Sequence, residues 1–76
     1  MSTQQYREPR VGMMLETGEM FPVDGYYSYA GHKDADGEKC FVSPRAIGGM
    51  LFLKGMRVPN LGSCPHAIYW RLNSIY

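Results

Sequence analysis

The chain has 76 residues, a formal net charge of +1 and two cysteines. So short a chain makes one domain with a small core, and near-neutral charge is low for a nucleic-acid binder. An apolar share of 45% speaks against wholesale disorder, and the longest apolar run, residues 50–53, falls far short of a membrane span.

Residues 1–10 read as a flexible tail, polar and interrupted by Pro9, with a single domain over 11–76. The tail has no apolar signal-peptide core, which places the protein in the cytoplasm with reduced thiols. Val11 to Leu15 is the first predicted strand, broken by Thr17-Gly18 and by the turn residues Pro22 to Gly25. Gly25 to His32 (GYYSYAGH) is the second, with Tyr27 and Tyr29 on one face and Tyr26, Ser28 and Ala30 on the other. Asp36-Gly37 is a hairpin signal, and Lys39 to Ser43 is the predicted returning strand. Ser43-Pro44 suits the cap and first position of one helical turn. Met50 to Leu53 is continuously apolar, which predicts a strand buried on both faces. In His66 to Leu72, Ile68, Trp70 and Leu72 alternate with Ala67, Tyr69 and Arg71. The first set belongs to the core, with Phe41 or Phe52 opposite Trp70. Five short strands with regular turn signals predict an all-β or β-rich fold, a small barrel or a strongly bent antiparallel sheet.

One segment occurs twice. Residues 12–25 (GMMLETGEMFPVDG) and 49–62 (GMLFLKGMRVPNLG) are identical at five positions: Gly12/Gly49, Met13/Met50, Gly18/Gly55, Pro22/Pro59 and Gly25/Gly62. Such an internal duplication specifies architecture and no chemistry.

The order Gly-x-x-x-Pro-x-x-Gly-x-Tyr, then Lys-Gly-x-x-x-Pro, then Tyr-Trp-x-Leu resembles short, uncharacterised bacterial proteins with two proline turns and a terminal aromatic strand. The resemblance covers residues 17–72. It implies a fold and no activity, because its motifs are turns and core aromatics. Some of those proteins carry Cys pairs near the second proline turn, where this chain has Cys64 beside Pro65-His66.

Several constellations hold residue types that carry chemistry. Cys40, Cys64, His32 and His66 are four donors of the types zinc prefers, but their spacing matches no zinc module and no C-x-x-C knuckle is present. The reading therefore assigns no metal and no cofactor, and keeps a zinc-stabilised module as a third alternative. The segment 32–37 resembles part of a calcium loop but lacks the first and last ligands. Either cysteine can be drawn beside a histidine, yet no third group orients such a pair, so no catalytic residue is assigned and the chain reads as a non-enzyme. Tyr27, Tyr29, Tyr69 and Arg71 would make a stacking face for single-stranded nucleic acid, the second reading. The first reading is a non-catalytic protein-binding module, with another protein or a second copy as partner. Its motive is six methionines among aromatics and a second half without acids, all seven of which lie at or before Glu38. Met56, Arg57, Tyr69 and Arg71 are the predicted contact residues.

Overall fold

The computed structural model describes residues 8–33, 41–62 and 64–76. These form β1 (Met14–Glu16), β2 (Gly25–His32), a short helix α1 (Pro44–Gly48), β3 (Met50–Phe52) and β4 (Ile68–Ile75). The four strands make one antiparallel sheet in the order β1-β4-β2-β3. The fold is thus β-rich, as expected, but among the described residues the sheet is open, with four strands where five were expected and no closed barrel. Residues 41–43 are not a strand, while the hairpin signal at Asp36-Gly37 and the start of the expected returning strand lie outside the described residues.

The two central strands are the long ones. β2 has the predicted bounds, and β4 runs three residues past Leu72. The edge strands β1 and β3 have three residues each, which leaves little unpaired edge. The first strand begins at Met14 because Val11 and Gly12 belong to a turn. Helix α1 starts as its sequence suggests: Ser43 Oγ accepts from the Ala46 amide at 3.3 Å and Pro44 follows the cap. Gly49, at φ 113°, ends it.

Register assigns the faces. Leu15 pairs with Trp70, Tyr29 with Trp70, Tyr27 with Leu72 and Gly25 with Phe52, and these side chains form the inner face. Phe21, Ala46, Val58, Leu61 and Cys64 cover that face. Trp70 is 2% exposed, as expected of a core centrepiece, and its ring meets Phe52 edge-on at 5.1 Å. Its indole N–H donates to the Pro59 carbonyl at 3.0 Å, so the polar edge of the ring is satisfied inside the core. Phe41 is not its counterpart, being 73% exposed. The third strand is not buried on both faces either: Phe52 points in, while Leu51 and Leu53 are 45% and 47% exposed. A three-residue edge strand has one covered face, whatever its apolar run suggests.

Segments 18–21 and 55–58 cross the inner face side by side. Gly18 N donates to Val58 O and Gly55 N to Phe21 O, both at 2.9 Å. Phe21 N donates to Met56 O at 2.9 Å and Val58 N to Glu19 O at 2.7 Å. Met20 and Arg57 face each other at the middle. Both turns need a glycine, since Gly18 and Gly55 have φ of 99° and 90°, a region that residues with a Cβ rarely enter. Thr17 ties this layer to the sheet: its Oγ1 accepts from the Ile68 amide at 3.0 Å and lies 3.3 Å from the carbonyls of Pro59 and Ile68.

No helix is long and apolar enough to cross a membrane among the described residues.

Candidate functional site

Two places on this frame gather side chains with chemistry: the outer face of the sheet, and a cluster at the far end of β2.

The outer face follows from the register. Met14 pairs with Arg71, Glu16 with Tyr69, Ser28 with Arg71, and Tyr26 with both Leu51 and Ser74. Residues directly opposite share a face, so Met14, Tyr26, Leu51, Tyr69 and Arg71 stand together on the side away from Trp70. Met14, Tyr26 and Leu51 are each at least 40% exposed, and the Tyr76 ring meets Tyr26 edge-on at 5.9 Å. Ser28 is buried here beneath a polar clasp, accepting from Asn73 Nδ2 at 3.0 Å. The one acid in these rows, Glu16, pairs with Lys33 at 3.0 Å.

This geometry divides the predicted contact residues. Tyr69 and Arg71 lie on the outer face. Met56 and Arg57 lie on the crossover layer that covers the opposite face, where Met56 Sδ accepts from the Leu53 amide and Arg57 donates to the Gly18 carbonyl at 2.9 Å. The four do not make one patch. The proposed nucleic-acid face is also divided. Tyr27 is 0% exposed and donates its hydroxyl proton to the Val23 carbonyl at 2.7 Å. Burial pushes its phenol pKa up. Tyr29 is on the same inner face, so of the four residues only Tyr69 and Arg71 remain for stacking. The alternation in GYYSYAGH correctly separates the tyrosines but cannot say which set meets the core.

The second cluster depends on a bulge. Three residues apart in a regular strand, Tyr29 and His32 would point to opposite faces. β2 and β4 lose register between Tyr29 and His32: Tyr29 pairs with Trp70, but His32 pairs with Ile68. Two residues of β2, Ala30 and Gly31, thus oppose one of β4, and Gly31 takes φ 118°. The extra residue returns His32 to the inner side. Tyr29 Oη then lies 2.6 Å from His32 Nδ1, and His32 Nε2 lies 3.3 Å from Cys64 Sγ. The His66 ring is 6.4 Å from that of His32. A glycine inside a strand pattern is the signal that could have found this bulge.

Cys64 is buried and disulfide-bonded, which corrects the expectation of reduced thiols. The physical reason is size: so small a core gains from a covalent staple. Of the four candidate zinc ligands, the structure brings His32 to Cys64 with His66 alongside, while Cys40 lies outside the described residues. Among the described residues, no three His, Cys, Asp or Glu side chains form a metal-holding group as they stand.

A hollow of ≈ 240 Å³ opens beside Trp70, between Ala46, Met50, Phe52 and Leu61. That is below the range of roughly 300–1,000 Å³ usual for small-molecule sites. No protein-family model, curated protein or solved structure matches the chain.

Proposed function

We propose that the chain is a non-catalytic protein-binding module whose outer sheet face receives the partner. The observation that carries this reading is the uncovered face of Met14, Tyr26, Leu51, Tyr69 and Arg71, opposite the face that holds the core. Met, Tyr and Arg are the side chains interfaces favour, and Glu16, the one acid in these rows, is already paired. A few anchors of this kind supply most of the affinity of a small interface. Relative to the sequence reading, Tyr69 and Arg71 keep their role, Met14, Tyr26 and Leu51 join them, and Met56 and Arg57 leave.

We also infer that residues 12–25 and 49–62 are two copies of one unit. The crossover hydrogen bonds support this, since each has a counterpart displaced by the same offset in both donor and acceptor. Positive φ at Gly12 and Gly49, and again at Gly18 and Gly55, supports it further.

The test uses a photo-reactive residue placed at Tyr69 or at Arg57, in chains shown to be folded. A partner, or a second copy, crosslinked from position 69 and not from 57 is the expected result. Crosslinking from 57 alone would remove the outer face from consideration. A captured nucleic acid, with affinity falling steeply as salt rises, would replace this reading with the nucleic-acid one.

A further inference from the structure

Arg71 stands in the middle of the outer face. It pairs with Met14 of β1 on one side and with Ser28 of β2 on the other, and Tyr69 lies two residues back along its own strand. It is exposed, and among the described residues no ion pair or hydrogen bond holds its guanidinium. Arg57, on the opposite layer, differs, since its guanidinium donates to the Gly18 carbonyl. The polar groups around Arg71 are already engaged. Ser28 is buried and accepts from Asn73, and the Glu16 carboxylate is held by Lys33. A planar set of donors is therefore left open on a face otherwise built of methionine, tyrosine and leucine.

We propose that the partner of this face is acidic: a protein segment that sets an aspartate or glutamate carboxylate on Arg71, with apolar side chains to either side of it. This rests on the reading of the outer face as the binding surface, and adds the chemistry of what binds there.

Charge decides between the occupants. A second copy docked about a twofold axis would meet this face with the same face. It would bring another arginine, while its Glu16 is already paired, and like charges brought together cost affinity. A nucleic acid calls for several cations along a track, whereas this face offers Arg71 beside a Lys33 that is bridged to Glu16. A carboxylate needs one guanidinium, whose fork of N–H donors matches its two oxygens.

The surroundings strengthen such a pair. Met14, Tyr26 and Leu51 are each at least 40% exposed. Neighbouring strands lie about 4.8 Å apart, so side chains that cover these three also shut water away from the guanidinium. A charged pair ringed by apolar contacts is stronger than one in open water. The bond from Asn73 lets a partner cover Ser28 without stranding its hydroxyl.

The test selects peptides from a displayed random library against the full chain. The recovered peptides, and copies with each acid replaced by its amide, are then measured by fluorescence anisotropy. The expected sequences are enriched in Asp or Glu beside apolar residues. Arg71→Gln should weaken binding by roughly 10–100-fold. Replacing the critical acid should do the same to wild type and add little to Arg71→Gln. Selection against Arg71→Glu, shown to be folded by circular dichroism, should recover basic peptides instead. Failure to enrich any peptide, peptides without acidic preference, or affinity indifferent to Arg71→Gln would each overturn the proposal. The failures are distinguishable. Uncharged peptides that lose affinity with Leu51→Ser keep the outer face and remove only the acidic partner. Affinity lost with Arg57→Glu and kept with Arg71→Gln removes both. Self-association abolished by Leu51→Ser in sedimentation would give the face to a second copy, and an oligonucleotide that displaces the peptides would give it to nucleic acid.

Discussion

Gly25 and Gly62 occupy the same place in the similar segments 12–25 and 49–62, yet the structure gives them different reasons to be glycine. A Cβ built on Gly25 would lie 2.7 Å from the Ser74 carbonyl oxygen and 2.8 Å from Leu72 Cδ1. Both are inside the closest approach real Cβ atoms make, and only the leucine methyl can move aside. Ser74 O belongs to β4, where that strand bulges past Asn73 and pairs Gly25 with Ile75. A Cβ at Gly62 would meet nothing within 4 Å. Gly25→Ala therefore forces β2 and β4 apart at their end. Overpacking of this kind costs roughly 1–3 kcal/mol, and an immovable backbone oxygen places it in the upper half of that range. For a domain of this size that is a fall in Tm of roughly 10–20 °C. Gly62→Ala should change stability by less than about 0.5 kcal/mol. Urea unfolding of the two variants and the wild type, followed by Trp70 fluorescence, measures both. A Gly25→Ala protein as stable as wild type would refute the close approach of β2 to the β4 bulge. A Gly62→Ala protein destabilised as much as Gly25→Ala would show that the two glycines share one role.

Three further outcomes are expected. Trp70→Ala removes the centre of the inner face and should cost about 3–5 kcal/mol, read as loss of the cooperative thermal transition. Thr17→Val leaves the Ile68 amide without the hydroxyl it donates to, and should cost about 1–3 kcal/mol by urea unfolding, whereas Thr17→Ser should restore most of it. Tyr27→Phe should cost about 0.5–1.5 kcal/mol near neutral pH through its lost bond to Val23. The folded-state pKa of Tyr27 is raised by burial, so its contribution is present below the ordinary phenol pKa of about 10 and is lost as pH rises beyond it. Thermal melts above that pH should fall more steeply for wild type than for Tyr27→Phe.

The elements that could be read from the sequence are those whose signals are local. Gly25 to His32 reads as a strand because it is rich in tyrosine with a two-residue alternation and follows the turn residues Pro22 to Gly25. The α1 cap follows from Ser43-Pro44, and the inward set Ile68, Trp70 and Leu72 follows from strict alternation. What could not be read depends on partners distant in the chain. Whether Tyr27 or Tyr26 points inward is decided by which strand lies beside β2, and the apolar run 50–53 is half exposed because β3 lies at an edge. The expected contact residues divide for the same reason: Met56-Arg57 and Tyr69-Arg71 lie on opposite sides of one sheet. The His32–Cys64 meeting needed the bulge at Gly31, whose glycine was visible although its consequence was not.

The strand order has a temporal consequence. β4 is last in the sequence but central in the sheet, and it supplies the partner of β1 and the longer partner of β2. While residues 68–75 are missing, β1 has no neighbour, the inner face lacks Ile68, Trp70 and Leu72, and only the short β2–β3 pairing can form. Nascent chains therefore carry their exposed aromatics until the final strand inserts between the two others. Folding is late, dominated by contacts far apart in sequence, and correspondingly slow for so small a domain. A chain cut before Ile68 would lose both pairings that β4 makes and keep only the short β2–β3 pairing, and would be the form most exposed to aggregation and proteolysis.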